Sequence, residues 1–98
     1  MNINIEKSDA LAIMQVSGRL DTTTAPSLDK AINEDMDGVT SLTLDLKELE
    51  YISSAGLRVL LSAQKKFQKI GSMKLKNVGE VVMEVLEMTG FADILVIE

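Results

Sequence analysis

The spacing of the apolar residues changes along this chain from a period of two to a helical period and back, which limits the fold more than any other sequence feature. Strict alternation at Leu42, Leu44 and Leu46 predicts a strand with one buried face. From Ser54 the apolar residues recur every three or four positions, which predicts an amphipathic helix. Strands that alternate with helices favour parallel pairing through right-handed crossovers. We therefore expect an α/β sandwich with a mixed, mostly parallel β-sheet packed against helices.

The first two strands are expected to form a hairpin. Ile3 and Ile5 face one way and polar residues the other, which predicts a strand with one wet face. Residues 10–16 are apolar on both faces except at Gln15, which predicts a strand covered on each side, and Gly18 is expected to close it.

Three helices and two more strands follow from the same spacing. The helices are predicted from Thr24 to Met36, from Ser54 to a stop at Gly71, and around residues 82–89. Residues 47–52 are expected only to connect the third strand to the second helix. A short strand at 73–76, with lysines on one face as at a sheet edge, and a final strand at 93–97 complete the order β-β-α-β-α-β-α-β.

The amino-acid composition excludes most kinds of catalytic site. The 98 residues, 46% of them apolar, predict one domain over residues 1–98. With no cysteine and no histidine there is no disulfide, thiolate nucleophile, zinc site or imidazole base. No glycine-rich nucleotide-binding motif occurs, and a row of three glutamates on the third helix is typical of a solvated face. We therefore expect no enzyme activity, no catalytic residues, no cofactor and no metal.

Charge is distributed unevenly. The net charge of -5 repels nucleic-acid phosphates and anionic membranes, so neither is expected as a partner. No apolar run approaches the length of a membrane span, and the N-terminal residues do not resemble a signal peptide, so we expect a cytoplasmic protein. Between Glu50 and Glu80, however, there is no acid and there are six bases. This segment is interpreted either as a solvated basic face with counter-charges nearby or as a docking surface for an anion or an acidic partner.

The start of the second helix is the most informative local segment. Ser53 or Ser54 is expected as a plain N-cap, while Gly56 in the first turn is about 1 kcal/mol worse than alanine there, which indicates close approach by another group. A capping box would need Glu or Gln three residues after the cap, and none is present. A helix end without an acid attracts anions, and a serine there can be phosphorylated without unfolding the helix. A plain cap and a switch serine therefore both remain open.

Two segments carry a resemblance to a known family. Residues 52–61, Ile-Ser-Ser-Ala-Gly-Leu-Arg-Val-Leu-Leu, preceded by the strand at 42–46, resemble the central motif of the STAS-domain anti-sigma factor antagonists. Residues 18–21, Gly-Arg-Leu-Asp, followed by Ala25-Pro26, resemble their earlier motif. The resemblance covers essentially the whole chain and implies a STAS-like sandwich.

In that family a serine at the start of this helix is phosphorylated by an anti-sigma factor that is also a serine kinase. The resemblance implies that Ser54 is the phosphorylated residue, with Ser53 a minor candidate. Many members have Asp immediately before the serine, whereas Ser53 stands there in this chain, and Ala55 replaces the next hydroxyl. The implied activity is that of a regulator which, unphosphorylated, binds the anti-sigma factor and so releases a sigma factor. A serine phosphatase would reset it.

The expected contact surface for the partner combines the loop after the second strand with the start and exposed face of the second helix. Asp21 matches the acid of the family's loop, and a role there and a role in capping the first helix are both open. The predicted partner-binding residues are Asp21, Thr22, Thr23, Ser53, Ser54, Ala55, Gly56, Arg58 and Lys65.

Two other interpretations stay open. The first is a constitutive STAS interaction module of a signalling assembly or a transporter, in which Ser54 only caps the helix. The second is a small enzyme that uses Asp21 as a general base and a serine, without imidazole. Such an enzyme would need a pocket that shifts the pKa of the carboxyl, so a deep polar cavity around Asp21 and Ser54 would indicate enzyme activity.

Overall fold

The computed structural model describes all residues, 1–98, and consists of one five-stranded sheet with three α-helices. In chain order the elements are β1 Asn2–Ser8, β2 Leu11–Leu20, α1 Ala25–Glu34, β3 Ser41–Asp45, β4 Leu49–Ile52, α2 Ser54–Ile70, β5 Ser72–Lys76 and α3 Glu80–Met88, followed by a 3₁₀ turn at Phe91–Asp93. The predicted α/β class with a mixed, mostly parallel sheet is confirmed.

The sheet has the order β1-β2-β3-β5. β1 and β2 form the predicted antiparallel hairpin, while β3 lies parallel to both β2 and β5. β5 is the last strand of the sheet, and its outer edge carries only an isolated β-bridge between Leu75 and Ile97. The prediction that this lysine-bearing strand lies at or near an edge is therefore confirmed.

The core lies between one face of the sheet and the helices. Met14 and Leu44 from the strands, and Leu60 and Phe67 from α2, are fully buried in one apolar cluster. On the other face of the sheet, Leu11 is 57% and Ile13 is 42% exposed. The prediction that β2 is covered on both sides was therefore wrong, because no helix packs on that face and two apolar side chains remain there in solvent.

Two elements differ from the predicted order. Residues 49–52 form the strand β4, because β2 does not stop at Gly18 but runs on to Leu20 and offers a second partner edge. The expected final strand at 93–97 was wrong except for the bridge at Ile97, because the turn after α3 continues as a 3₁₀ helix to Asp93.

Gly18 makes the second pairing of β2 possible. Its φ of 89° lies in the left-handed region that favours glycine, and the register of β2 with β4 shifts between Gly18 and Arg19. β2 thus pairs with β3 over residues 11–15 and with β4 over residues 18–20. This second pairing places the ends of β2 and β4 side by side.

Candidate functional site

The predicted site lies where β2 and β4 end together. Leu20 of β2 pairs with Ile52 of β4, and the backbone N–H of Ser53 donates to the carbonyl oxygen of Leu20 at 2.9 Å. The next residue of one strand is Asp21 and the next two of the other are Ser53 and Ser54. The loop after β2 and the first turn of α2 are therefore neighbours, as the sequence predicted.

Ser53 and Ser54 have different environments. Ser53 is the N-cap of α2, and its carbonyl oxygen accepts from the N–H of Leu57 at 3.0 Å. Its side chain makes no cap hydrogen bond, and its Oγ is buried without a partner. Ser54, the first residue of the helix, is exposed. The Ser53 hydroxyl oxygen is thus buried although the residue is only half-buried, whereas Ser54 is an exposed residue.

The first turn of α2 packs closely on both strands through Gly56. A Cβ added to Gly56 would lie 2.6 Å from Cγ of Leu20 and 3.0 Å from Cγ1 of Ile52. The close approach that this glycine indicated in the sequence is thus the approach of the Leu20 side chain. Gly56 is buried and Ala55 half-buried, so these two residues hold the turn in place beneath Ser54.

The loop at residues 21–24 is ordered by the carboxylate of Asp21. Its Oδ1 accepts from the Thr23 hydroxyl at 2.7 Å, the Thr23 N–H at 3.0 Å and the Thr24 N–H at 3.2 Å. These hydrogen bonds, with that from the Thr23 hydroxyl first, lower the pKa of Asp21. These donors all precede Ala25, the first residue of α1, so the Asp21 side chain fixes the turn before the helix rather than capping α1 itself. Thr22 is exposed at the tip.

The basic residues predicted for the site lie on the exposed face of α2. Arg58 follows Ser54 by one helical turn, about 6 Å along the axis towards the C-terminus of α2, and Lys65 follows Ser54 by about 16 Å. Both are exposed. Arg58 therefore borders the first turn, whereas Lys65 lies on the same face at a distance from it.

The sequence did not single out Arg19 and Tyr51 together. They face each other across β2 and β4, and the Arg19 guanidinium lies 4.2 Å from the centre of the Tyr51 ring. The Nε of Arg19 is also 3.9 Å from Oδ2 of Asp21. The only available signal was the strand character of residues 49–52, because it is the pairing of β4 with β2 that joins these side chains.

The site is a surface rather than a cleft. The two hollows on the molecule lie elsewhere, one near Asn4, Gln15 and Lys47, the other near Leu11, Ile13 and Lys74, and neither includes Asp21 or Ser54. No group of three or more His, Cys, Asp or Glu residues is placed to hold a metal ion. None of the helices has the length and apolar character needed to cross a membrane.

Comparison with known proteins identifies the family of this chain. The family model described as STAS domain matches residues 2–98. BtrV of Bordetella bronchiseptica is 34% identical over 96 residues, covering 96% of this chain and 83% of that protein. The anti-sigma-B factor antagonist of Listeria monocytogenes is 32% identical over 105 residues, covering 100% of this chain and 90% of that protein.

A solved structure shows the same fold. The crystal structure of an anti-sigma factor antagonist from Mycobacterium paratuberculosis superposes with a TM-score of 0.87 at 27% identity, covering 98% of this chain and 83% of that one. Family match, relatives and fold together confirm the resemblance seen in the sequence. The chain belongs to the STAS-domain family of anti-sigma factor antagonists.

Proposed function

We propose that this chain, acting as a single STAS domain in the cytoplasm, is a non-catalytic anti-sigma factor antagonist controlled by phosphorylation of Ser54. Unphosphorylated, it binds an anti-sigma factor that is also a serine kinase, and a sigma factor is released. The observation that carries the proposal is the exposed Ser54 at the start of α2, beside the ordered loop of Asp21. The family membership and the names of the relatives support the general role.

The phosphoryl transfer uses ATP and magnesium supplied by the kinase. The Oγ of Ser54 attacks the γ-phosphorus, the bond from that phosphorus to the bridging oxygen of ADP breaks, and the hydroxyl proton passes to a base of the kinase. A serine phosphatase restores the hydroxyl by hydrolysis and releases inorganic phosphate. The chain supplies only the acceptor, which fits its lack of histidine, cysteine and any cleft at Ser54.

The choice of Ser54 over Ser53 rests on accessibility. The Ser53 Oγ is buried against the strand ends and Ser54 is exposed, so a kinase active site reaches Ser54 without opening the turn. The phosphate would stand at a helix N-terminus whose first N–H groups lack intrahelical partners, which favours negative charge. Ser54 is thus an acceptor whose modification does not strain the fold.

The switch acts in the interface. Phosphorylation adds about 1.5 to 2 negative charges at Ser54. The proposed docking surface combines Asp21, Thr22 and Thr23 with the first turn of α2, Arg58 and Lys65. Charge placed at the centre of this surface, opposite the acidic catalytic groups of a kinase, is unfavourable when the complex excludes water. A cost of about 3 kcal/mol lowers the affinity about a hundredfold.

The direct test is incubation with purified anti-sigma kinases and ATP, followed by mass analysis of the peptide containing residues 53 and 54. We expect one phosphate on the wild-type chain and on Ser53→Ala, and none on Ser54→Ala. We also expect Ser54→Asp, which adds one charge in place of nearly two, to bind the kinase about tenfold more weakly than Ser54→Asn. Kinase binding without phosphate transfer, and equal affinity for both variants, would instead establish a constitutive interaction module.

A further inference from the structure

The exposed face of α2 carries three cations that nothing in the molecule neutralises. Arg58, Lys65 and Lys69 recur at helical spacing, are all exposed, and span about 17 Å along the axis. The chain has only two ion pairs, Arg19–Asp21 and Lys74–Glu98, so none of the three lies within 4.0 Å of a carboxylate. We call these three residues the α2 basic strip.

The other bases of the same segment have partners. Lys66 donates to the carbonyl oxygen of Ile32 near the end of α1, at 3.2 Å, and Lys74 pairs with Glu98 at 2.7 Å. The hydrogen bond and charge of Lys74, and after them the charge of Lys76, lower the pKa of the same Glu98. Lys66 thus has a carbonyl partner and no acid. The interpretation of a solvated face with nearby counter-charges holds for Lys74 and Lys76 and fails for the strip, which remains positive in a molecule of net charge -5.

We propose that the α2 basic strip is a docking surface for an acidic surface of a protein partner. This inference deepens the proposed function and rests on it only for the identity of that partner, the anti-sigma factor. Opposite charges raise association rates over a distance of about one Debye length, roughly 10 Å at 0.1 M salt. The strip extends the contact from Ser54 to Lys69, well beyond the first turn of the helix.

The number and setting of the cations favour a protein over the other acidic macromolecules. DNA-binding surfaces typically neutralise about 6 to 10 phosphates, and lipid-binding clusters contain about 4 to 8 bases. The strip has three, and the acidic remainder of the molecule repels a polyanion or a membrane. Leu61 and Ser62 lie between the cations, half-buried and exposed respectively. This mixture of charged, apolar and hydroxyl groups suits the folded surface of a protein.

The test titrates the ¹⁵N-labelled chain with deca-glutamate at low ionic strength and follows the backbone amide signals. We expect shifts concentrated at residues 58–69 and binding at least about tenfold weaker in the double variant Lys65→Glu, Lys69→Glu. The matched control is Lys30→Glu with Lys47→Glu, which changes the net charge equally at two exposed lysines outside α2. That control should bind the peptide within about twofold of the wild-type chain.

Four results would overturn the inference. They are no binding of the peptide, equal weakening in both double variants, tighter binding of duplex DNA at the strip, and tighter binding of phosphatidylglycerol vesicles there. Because the peptide has no kinase activity, a failure of Ser54 to accept phosphate leaves the peptide result unchanged. If the strip does not bind the peptide, Ser54 can still accept phosphate from the kinase. The two experiments therefore test the two proposals independently.

Discussion

Gly56 determines how closely the first turn of α2 approaches the sheet. Replacing it with alanine improves helix propensity by about 1 kcal/mol. The new Cβ, however, would lie 2.6 Å from Cγ of Leu20, a fully buried side chain with no room to withdraw. Since overpacking a core costs about 1 to 3 kcal/mol and helix propensity offsets about 1 kcal/mol of this, we expect Gly56→Ala to lower the free energy of unfolding by up to about 2 kcal/mol.

Urea denaturation measures this effect, and Gly79→Ala is its control. A Cβ at Gly79 meets nothing within 4 Å, so that variant measures only the loss of a glycine N-cap of α3, and its cost should not change when Leu20 is replaced by alanine. The cost of Gly56→Ala should also shrink when Leu20 is replaced by alanine, because the clashing atoms are then gone. An unchanged cost in the double variant would contradict the contact with Leu20.

Asp21 gives the loop a dependence on pH. Its hydrogen bonds from Thr23 and Thr24 hold its pKa below the value in the unfolded chain. The carboxylate therefore stabilises the fold above the unfolded-state pKa, and this contribution is lost as the pH falls through the lower, folded-state pKa. We expect the free energy of unfolding of Asp21→Asn to fall less than that of the wild-type chain as the pH is lowered into the acid range.

The measurement is the urea midpoint of each variant at a series of pH values from neutral into the acid range. Asp37→Asn serves as the control, because Asp37 is exposed and its side chain accepts no hydrogen bond. If both substitutions reduced this fall in stability at acid pH equally, the hydrogen bonds of Asp21 would not be the cause.

At the scale of the elements, α2 has an exposed face that is proposed to bind the partner and a buried face that contains one unpaired polar side chain. Gln64 is only 3% exposed, and its Oε1 has no hydrogen-bond partner. A buried polar atom without a partner costs about 1 to 3 kcal/mol. We expect Gln64→Met, which keeps the length of the side chain and removes the polar atom, to raise the free energy of unfolding by about 1 kcal/mol.

Thermal and urea unfolding of Gln64→Met provide the measurement. Gln68→Met, on the exposed side of the same helix, is the matched control and should change stability little. A destabilised Gln64→Met would mean that the amide oxygen has a partner after all, so that its removal breaks a hydrogen bond.

The sequence predicts α2 and β3 well and β4 not at all, for a physical reason. The period of three or four from Ser54 and the stop at Gly71 depend on local spacing, and the helix indeed runs to Ile70. β4 has only four residues, and it is a strand because Gly18 turns β2 towards it, which is a non-local event. The exposed face of β2 was missed similarly, because the apolar side chains of Leu11 and Ile13 do not reveal whether a helix covers them.

The candidate site shows the same limit. The close approach at Gly56 was predicted from one helix start, while Ser54 and Asp21 were named from the family resemblance and their roles stay predictions. The contact of Arg19 with Tyr51, however, depends on the pairing of β2 with β4 and was not predicted. Residues within one turn are thus predictable from sequence, whereas partners across strands need the register.

For the whole molecule, the proposed switch requires that a charge at Ser54 changes what the protein binds and not how it folds. Ser54 is exposed at a helix N-terminus, away from the core, where a negative charge stabilises by about 0.3 to 1 kcal/mol. We therefore expect Ser54→Asp to be at least as stable as the neutral, isosteric Ser54→Asn. Amide shifts between the two variants should be confined to the first turn of α2 and the loop at 21–24.

Thermal unfolding and ¹⁵N–¹H spectra of the two variants test this expectation without any partner. Asn and Asp differ in charge while sharing shape, so the comparison removes the effect of losing the hydroxyl. If Ser54→Asp unfolded at a clearly lower temperature, or if its shifts spread to core residues such as Leu60 and Phe67, the modification would act by loosening the fold. The loss of partner binding would then follow from instability, and no charge effect in the interface would be needed to explain it.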